Sequence, residues 1–487
     1  MSDRGSDSAI LEGIMSKETK LEDIVSLAKR RGFIYQGSEV YGGLSGTWDY
    51  GPLGVQLKRN IMNLWWRMFV DERDDMYGVD AAILMNQKVW QASGHVDTFT
   101  DPLVECSHCH ARLRADKLDD PNKCPTCGQT GTFGEARPFN MMFQTFMGPN
   151  WAAVEDRTAD KLRFSAEFID KNGEKIGEGI KQSEESEADA IAIYKRNAVS
   201  YLRPETAQGI FTNYKNVVDS FYPDLPFGIA QQGKAFRNEI SPRDFVFRSR
   251  EFEQMEIEYF VHPEKWQECF EHWVEQCKKW FESLGLPADM IHELEVPESD
   301  RAHYSKRTID FEFDFPIGRE ELMGLAYRTD FDLGNIQNHS GKNMEYTVKG
   351  TNDRFVPHVI EPSFGVERAL MAVLTAAYRE DEQNGEKRVF LALPEHLAPV
   401  KYAVSPLLKN KPELVEKARE VYQKLSAENP GRVMWDDNGN IGKRYRRQDE
   451  IGTPHCVVID FQTLEDGTVT VRERDTTDQR RVTPDNI

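Results

Sequence analysis

A stretch of alternating aromatic and charged residues places the strongest limit on how this chain folds. The segment FRNEISPRDFVFRSREFEQMEIEYF ends at Phe260, and its second half has the alternation and aromatic content typical of a β-strand. We expect one face of this strand to carry Phe245, Phe247, Met255, Ile257 and Tyr259. Arginines and glutamates nevertheless fall on both faces, unlike the pattern of a strand with one solvated side. Because an unpaired buried charge is costly, such a strand needs paired side chains or a charged ligand.

The overall composition indicates a large globular protein of two to four domains. The chain has 487 residues, 39% of them hydrophobic, and a net charge of −20. It lacks both a long apolar run and a signal-peptide pattern, so we expect a cytoplasmic protein with no membrane partner. The acidic balance argues against unselective nucleic-acid binding, and we expect no DNA partner. We expect residues 1–19 to be disordered.

A charged stretch, REDEQNGEKR at residues 379–388, reads as a linker between two domains. The larger domain covers residues 20–378 and the smaller covers 389–487. In the smaller domain short strands alternate with helices, which indicates an α/β fold. A polar, acidic segment at about 151–197 reads as an inserted surface subdomain, and KNGEK within it predicts a hairpin turn.

Two C-x-x-C pairs predict a metal site. Cys106 and Cys109 form the first pair, Cys124 and Cys127 form the second, and 14 residues separate the pairs. This spacing suits tetrahedral zinc, in an insertion at about 104–130 that is too short and polar to build its own core. The alternatives are two disulfides, or a zinc ligand drawn from the neighbouring histidines.

A basic helix is predicted near the C-terminus, at GKRYRRQDE (residues 442–450). A charge run of this kind is often only a solvated helix face. The alternative is nucleic-acid binding through this local basic patch.

Three separated stretches share the mixture of arginine and glutamate. They are YLRPETAQG from Tyr201, the opening strand with its FRNE start, and EPSFGVERAL from Glu361. Arginine forks suit phosphate, an aromatic ring can stack on a base, and carboxylates can bind an ammonium group or Mg²⁺. ATP plus an amino acid fits this set. Structural ion pairs are the alternative for any one stretch, but three such stretches make it a poor explanation for all.

These stretches resemble the motifs of the class II aminoacyl-tRNA synthetases. FRNE followed by RSREFEQME resembles their second motif, FGVER their third, and the WDYGPLG region the first, which builds the dimer interface. Within that class GSEVYGGLSGTWDYGPLG, RPETAQG, YRTDFDL and EPSFGVER are similar to dimeric bacterial glycyl-tRNA synthetases. The resemblance implies an α+β fold: an antiparallel sheet flanked by helices as catalytic core, with zinc-knuckle and inserted subdomains, and a C-terminal α/β anticodon-binding domain.

The resemblance also implies an activity and its residues. The expected enzyme is an ATP-dependent ligase that forms glycyl-adenylate and transfers glycine to tRNA(Gly). Arg237 and Arg368 are the expected catalytic residues, through contacts with phosphates. Residues matched to ATP are Arg237, Asn238, Glu239, Phe247, Arg248, Phe252, Glu321, Leu322, Gly365, Glu367 and Arg368. Glu321 is also the expected Mg²⁺ ligand.

Glycine offers only an ammonium and a carboxylate to a binding pocket. Residues matched to glycine are Arg114, Glu205, Phe252, Gln254, Glu256, Arg328, Glu361, Ser363 and Gly365. The basic helix would contact tRNA through Lys443, Arg444, Arg446 and Arg447. Two rivals remain: a class II synthetase for serine, threonine or proline, and a non-catalytic relative that binds tRNA or DNA.

Overall fold

The computed structural model describes residues 19–147, 199–383 and 385–487, together with two short strands at Phe168–Ile169 and Lys175–Ile176. The segment predicted to be disordered, apart from residue 19, lies outside the described residues. The inserted segment at 151–197 does so too, apart from the two strands. Those strands pair antiparallel across KNGEK, in agreement with the predicted hairpin.

The described helices are numbered in chain order. They are α1 Leu21–Arg31, α2 Pro52–Trp66, α3 Gln87–Ala92, α4 His95–Thr98, α5 Ala207–Phe221, α6 Trp266–Ser283, α7 Phe331–Ser340, α8 Val366–Ala377, α9 Pro412–Glu428, α10 Ile441–Glu450 and α11 Phe461–Asp466. A π-helical turn, Arg67–Asp71, continues α2, and short 3₁₀ helices lie at Glu39–Tyr41, Ala115–Lys117, Phe245–Phe247, Ala288–Met290 and Pro484–Asn486.

The described strands are numbered in the same way. They are β1 Ile34–Gln36, β2 Trp48–Tyr50, β3 Met76–Gly78, β4 Thr100–Glu105, β5 Arg112–Arg114, β6 Arg137–Asn140, β7 Gln144–Phe146, β8 Phe168–Ile169, β9 Lys175–Ile176, β10 Val199–Tyr201, β11 Phe227–Phe236, β12 Glu251–Val261, β13 Ile291–Glu295, β14 Arg307–Phe315, β15 Gly318–Thr329, β16 Tyr346–Thr347, β17 Arg354–Phe355, β18 His358–Gly365, β19 Tyr378–Gln383, β20 Glu386–Leu391, β21 Tyr402–Pro406, β22 Val433–Trp435, β23 His455–Ile459, β24 Val469–Glu473 and β25 Gln479–Val482.

The chain forms two compact units. Unit 1 comprises Met1–Ala81, Thr206–Lys234 and Ser241–Ile487, and unit 2 comprises Ala82–Glu205 and Ala235–Ile240. Both sides of the predicted boundary at 379–388 belong to unit 1. The division into catalytic and anticodon-binding domains therefore stays a prediction.

Unit 1 is built around a seven-stranded sheet with the order β13-β14-β15-β18-β12-β11-β3. Strands β13, β14, β15, β18 and β12 run antiparallel to their neighbours, and β3 runs parallel to β11. β14 alternates strictly, with Ile309, Phe311, Phe313 and Phe315 buried between half-buried polar residues. This antiparallel sheet with packed helices confirms the predicted core.

Two helices cover the sheet and explain its packing. In α6 the buried residues, among them Phe270, Trp273, Cys277 and Trp280, recur at helical spacing. The whole of α8 is buried apart from Arg368, as expected of an apolar helix that packs on all sides. α8 begins directly after β18, so the end of that strand and the start of α8 are fixed together.

A second sheet, in the C-terminal part of unit 1, has the order β22-β21-β23-β24-β25. β21 pairs parallel with β22 and β23, and α9 packs its buried Leu414, Ala418, Val421 and Leu425 in the same hydrophobic cluster as the sheet. The predicted α/β fold is confirmed here. The short helix α11 lies before β24 and begins with a capping box at Asp460.

The predicted linker at 379–388 is also wrong, because these residues form the hairpin β19–β20. Arg388 is buried, and its guanidinium pairs with Asp381 across the hairpin and with Asp449 of α10. Its Nη1 also donates to the main-chain oxygen of Arg474, 2.7 Å away. Buried ion pairs explain the charge of this stretch, which the sequence suggested was solvated.

In unit 2, β4 pairs with β5 and β6 to form a three-stranded sheet, and β7 pairs with β10. Its described core is small and contains Trp90, Met142 and Tyr201. Across the described residues of the chain, no helix is both long and apolar enough to cross a membrane.

Candidate active site

The strand predicted from the aromatic and charged segment that ends at Phe260 begins later than expected. Phe245–Phe247 is a 3₁₀ turn rather than strand, because Asp244 and Phe245 adopt positive φ angles of 61° and 57°. β12 proper starts at Glu251. Its Met255, Ile257 and Tyr259 belong to the core of unit 1, as predicted, while Gln254, Glu256 and Glu258 are buried on the opposite face.

Arg368 lies in the first turn of α8 and contacts two other residues matched to ATP, Phe247 and Glu321. Its guanidinium lies over the ring of Phe247, 4.7 Å from the centroid. Its Nη1 donates to the main-chain oxygen of Glu321 at 3.0 Å and pairs with the carboxylate of the same residue at 3.1 Å. The side chain stays 28% exposed. A planar cation is thus held in a fixed orientation with one part open to a ligand.

The sheet register connects this arginine to the rest of the predicted site. Gln254 of β12 pairs with Gly365 of β18, and Glu256 pairs with Ser363 two residues further along. Phe252 is half-buried at the start of β12 and shares the face of Gln254 and Glu256 by alternation. Arg248 is half-buried in the preceding loop, and its backbone forms an isolated antiparallel β-bridge with that of Arg243.

Three carboxylates lie close together on β14 and β15. Glu312 pairs directly with Glu321 at a β-bulge, and Asp310 lies opposite Gly324. Burial, together with the charges of Glu321 and Glu312, raises the pKa of Asp310 to about 7. Oxygen ligands of this kind are what Mg²⁺ prefers, so Glu321 and its neighbours fit the predicted metal site.

Glu256 is buried, and each of its carboxylate oxygens accepts hydrogen bonds from the protein. Oε1 accepts from the Ser363 hydroxyl at 2.7 Å and the Gln254 amide at 3.3 Å. Oε2 accepts from the backbone N–H of Thr206 at 3.1 Å and from the Thr206 hydroxyl. Four donors from two strands and a helix start hold this carboxylate in one place.

Glu361 is oriented by Arg328, which is almost completely buried. Nη1 of Arg328 donates to both oxygens of Glu361 at 2.9 and 3.0 Å. Its Nε and Nη2 donate to the two oxygens of Asp332 at 2.8 and 2.9 Å, and its guanidinium stacks 3.8 Å from the ring centroid of Tyr304. Protein carboxylates therefore occupy the planar fork of Arg328, only 2% of the residue is exposed, and its assignment to glycine binding stays a prediction.

Two residues of unit 1 that are matched to ATP, Glu367 and Leu322, are buried among other protein groups. The Glu367 carboxylate accepts from the Tyr50 hydroxyl at 3.0 Å and from the backbone N–H of Glu253 at 2.9 Å. Burial, with the nearby charge of Glu253, raises the pKa of Glu367 to about 7. Leu322 is 1% exposed in the core of unit 1. Both side chains are buried in the protein, and their assignment to ATP stays a prediction.

Unit 2 holds the FRNE residues. Arg237 donates from Nε to the main-chain oxygen of Pro204 at 3.0 Å, and its guanidinium lies 5.5 Å from the ring centroid of Phe99. The backbone N–H of Asn238 donates to the main-chain oxygen of Met141 at 2.8 Å, and Glu239 is buried. These contacts fix the backbone of the segment inside unit 2.

Two residues matched to glycine also belong to unit 2. Arg114 pairs with Asp101 and Asp116, each at 2.7 Å, and hydrogen bonding with Asp116 raises its pKa. Glu205 lies 3.3 Å from Nε2 of His95. Arg114 is thus held by carboxylates of its own unit, and the motif remains the sole basis for assigning either residue to glycine.

The four predicted metal ligands come together. The Sγ atoms of Cys106, Cys109, Cys124 and Cys127 all lie within 4.8 Å of one another. The Sγ distances are 3.8 Å between Cys106 and Cys127 and 3.7 Å between Cys109 and Cys124. Four sulfurs around zinc at about 2.3 Å have edges of about 3.8 Å, so the geometry fits. The disulfide alternative fails, since each of the seven cysteines lies in the described part and is a free thiol.

The basic helix, α10, does not present all four of its cations to solvent. Arg444 is 3% exposed, and its guanidinium donates to the main-chain oxygens of Pro406, Asp437 and Gly439. Arg447 pairs with Asp436. The assignment of Arg444 to RNA is wrong for this reason, and Arg447 is largely committed to the fold. Lys443 and Arg446 are exposed.

Sequence reasoning missed several residues that shape these sites. Thr206 and Asp332 stood inside the quoted stretches RPETAQG and YRTDFDL, and the spacing of Asp332 four residues after Arg328 was a usable signal. Asp310, Glu312 and Tyr50 gave no comparable signal, because only the sheet register and the fold bring them to their partners.

Two family models match the chain. The model described as tRNA synthetase class II core domain (G, H, P, S and T) matches residues 192–377, and the one described as anticodon binding domain matches residues 401–487. The glycine–tRNA ligase of Thermobifida fusca is 45% identical over 97% of this chain and 97% of its own length. That of Cutibacterium acnes is 43% identical over 97% and 96%.

The chain belongs to the glycine–tRNA ligase family. Similarity at this level over nearly the whole of both chains also shows the class II synthetase family, as the sequence motifs indicated. A solved structure of Giardia lamblia prolyl-tRNA synthetase in complex with prolyl-adenylate aligns with a TM-score of 0.62, over 97% of this chain and 77% of that one. At 14% identity it shows the shared fold only.

Proposed function

We propose that this chain joins glycine to tRNA(Gly) at the expense of ATP. The observation that carries the proposal is the pair of buried carboxylates, Glu256 and Glu361, each fixed by hydrogen bonds in a chain 45% identical to a glycine–tRNA ligase. A fixed pair of anions suits the ammonium group of an amino acid. We also propose the cytoplasm as its compartment, because bacterial translation consumes charged tRNA there.

In the first step the glycine carboxylate attacks the α-phosphorus of ATP. A new bond forms between this oxygen and phosphorus, the bond to the bridging oxygen breaks, and pyrophosphate leaves with that electron pair. The nucleophile is already ionised at neutral pH, so the step requires positioning and charge stabilisation rather than a base. Arg368 supplies a fixed cation, and we assign the adenine to the space between its guanidinium and the ring of Phe252.

The remaining ATP contacts are assigned on motif grounds. Arg237 contacts the α-phosphate and the substrate carboxylate, and Arg248 contacts the terminal phosphates. Asn238 and Glu239 belong to the same FRNE motif. In the second step a terminal ribose hydroxyl oxygen of tRNA forms a bond to the glycyl carbonyl carbon of the adenylate. The bond from that carbon to the phosphate oxygen breaks, AMP leaves with the electron pair, and the hydroxyl proton is released.

Selectivity for glycine follows from the rigidity of the pocket. Glu256 is held by Ser363, Gln254 and Thr206, and Glu361 is held by Arg328. Neither carboxylate can withdraw to admit a side chain without breaking several buried hydrogen bonds. Exclusion by fixed walls discriminates more strongly than the recognition of an added methylene, which gives about 1–3 kcal/mol.

Two metals are implied by the residues. Glu321, with Asp310 and Glu312 beside it, would hold Mg²⁺, which neutralises phosphate charge when bound. The four cysteines would hold structural zinc. Purified protein is then expected to contain about one zinc per chain, and Cys109→Ser should abolish it while Cys269→Ser, outside the cluster, should not. Retention of zinc by Cys109→Ser would contradict the site.

A homodimer is proposed on the basis of an exposed apolar loop. Val40, Tyr41 and Leu44, shortly before the first predicted motif, are 89%, 92% and 55% exposed. A second copy is the expected cover for such residues, because an exposed apolar patch commonly marks an interface. Light scattering should give twice the chain mass for the wild type and a monomer for Val40→Glu with Tyr41→Glu. A monomeric wild type would contradict this proposal.

The test of the function is a charging assay with glycine and tRNA(Gly). The wild type should form glycyl-tRNA in an ATP-dependent reaction, and Glu256→Gln should lose most of this activity because it removes one of the two anions. Glu264→Gln, an exposed residue after the same strand, is the matched control. Absence of charging by the wild type would contradict the function.

A further inference from the structure

Glu258 is a buried glutamate with no role in the reaction as described above. It is 0% exposed on β12, two residues after Glu256. Among the described residues, neither of its carboxylate oxygens has a hydrogen-bond partner. A fully buried and unbonded carboxylate would cost several kcal/mol as an anion, so the group needs another explanation.

The sheet register places Glu258 against Glu361. β12 and β18 pair antiparallel with Glu256 opposite Ser363 and Tyr259 opposite Ile360. The same register puts Glu258 directly opposite Glu361. Directly opposed residues share one face of the sheet, with Cβ atoms about 4.5–5.5 Å apart. An anion at Glu258 would therefore repel the carboxylate that Arg328 holds.

The charges around Glu258 come from four elements. Glu256 lies on the same strand, Glu361 on β18, Arg328 at the end of β15 and Asp332 on α7. Three of these groups are acids and one is a base. Burial is the largest cause that raises the pKa of Glu258 well above its usual value; Glu361 and Glu256 add to this effect, while Arg328 opposes it.

We propose that Glu258 is a neutral carboxylic acid that positions the ammonium subsite of the proposed glycine pocket. Its proton removes the repulsion against Glu361 and provides an O–H donor within reach of that carboxylate across the strand pair. Glu361 is then held from two sides, by Arg328 and by Glu258. The ammonium group of glycine meets two oriented anions, rather than three that repel one another.

This inference rests on the proposed function, and two substitutions separate it from simple space filling. Glutamine at position 258 is neutral, has nearly the same shape and keeps an N–H donor. Methionine is neutral and similar in size but cannot donate. A structural role would treat the two substitutions alike, whereas a donor role distinguishes them.

Pyrophosphate exchange should be measured at varied glycine and varied ATP for the wild type, Glu258→Gln, Glu258→Met and the control Glu264→Met. We expect Glu258→Gln to keep the glycine KM within about twofold. Glu258→Met should raise the glycine KM by about tenfold or more, because a hydrogen bond to a charged group is lost, and should leave the ATP KM unchanged. Thermal unfolding checks that every variant folds.

Infrared spectroscopy of the free enzyme tests the proton itself. The wild type at neutral pH should show the carbonyl band of a protonated carboxylic acid, and Glu258→Gln should lose it. Absence of that band from the wild type would overturn the inference, as would equal glycine KM values for Glu258→Met and the wild type. An equal loss in Glu258→Gln and Glu258→Met would do the same, since neither variant carries a charge and the anion would then be the working form. A wild type inactive with glycine would instead contradict the proposed function, while the infrared result would still decide the proton.

Discussion

The guanidinium of Arg368 rests 4.7 Å from the ring centroid of Phe247 and donates a hydrogen bond to the main-chain oxygen of Glu321. These two contacts fix the plane of the only side chain of α8 that is not buried. The cation is therefore oriented before any nucleotide arrives, so binding need not order a long flexible side chain.

The first prediction concerns this orientation. Arg368→Ala should fold and lose about 10²–10³ in the rate of pyrophosphate exchange, as expected for removal of one preorganised donor. Arg368→Lys should recover little, because an ammonium lacks the planar fork that stacks on a ring. Arg319→Ala on β15 is the control, since that arginine is 51% exposed and pairs only with Asp314 among the described contacts. Equal loss in Arg319→Ala would show that the effect is not specific to the site.

The second prediction concerns the hairpin β19–β20. Arg388→Ala leaves Asp381 without its partner and Asp449 with Arg472 alone, and breaking a buried ion pair costs about 3–5 kcal/mol. Lys387→Ala removes an adjacent cation that is 62% exposed and should cost less than about 1 kcal/mol. Thermal unfolding of the two variants measures the difference. Similar midpoints would mean that the hairpin is the solvated linker its sequence suggested.

The third prediction separates two arginines of α10. Arg444→Ala should destabilise the C-terminal sheet by at least about 2 kcal/mol, because carbonyl groups of Pro406, Asp437 and Gly439 lose a charged donor. Limited proteolysis should then cut this part of the chain faster. Lys443→Ala with Arg446→Ala should leave stability unchanged, raise the KM for tRNA and flatten its salt dependence. Normal charging by the double variant at physiological salt would remove α10 from the tRNA contact.

The fourth prediction is a pH dependence of stability. The pKa of Glu367 is raised to about 7 in the folded chain, from an ordinary value of 4.5, so the folded state binds the extra proton between these values. Wild-type stability should therefore fall relative to Glu367→Gln as pH rises from about 4.5 to about 7, and level off above that range. The change should not exceed about 3 kcal/mol. Thermal midpoints of both proteins across this range measure it, and a constant difference would contradict the assignment.

The sequence predicted the C-terminal α/β alternation and the core face of β12 because their signals are local. Apolar residues in β14 and α6 recur with the period of their element, and each buried face follows from that period. The four metal ligands could also be predicted from the sequence, because the spacing of two C-x-x-C pairs is itself typical of a zinc site.

The failures share a different cause. Arg388 and Glu367 are charged residues that the fold buries, and each has a partner far away in sequence, Asp449 for Arg388 and Tyr50 for Glu367. Arg444 is buried against the main-chain oxygens of Pro406, Asp437 and Gly439. A charged side chain is solvated in most contexts, so a single sequence favours exposure. Only tertiary contacts reveal that these charges are paired inside.

The central claim is that two fixed carboxylates, Glu256 and Glu361, accept the ammonium group of glycine and leave no room for a side chain. Pyrophosphate exchange with glycine, alanine, serine, threonine and proline tests it directly in the wild type, with Glu361→Gln measured alongside. Exchange should occur with glycine, fall by at least about 10²-fold with alanine, and be lost with glycine in Glu361→Gln. Comparable exchange with alanine, or undiminished exchange in Glu361→Gln, would contradict the claim.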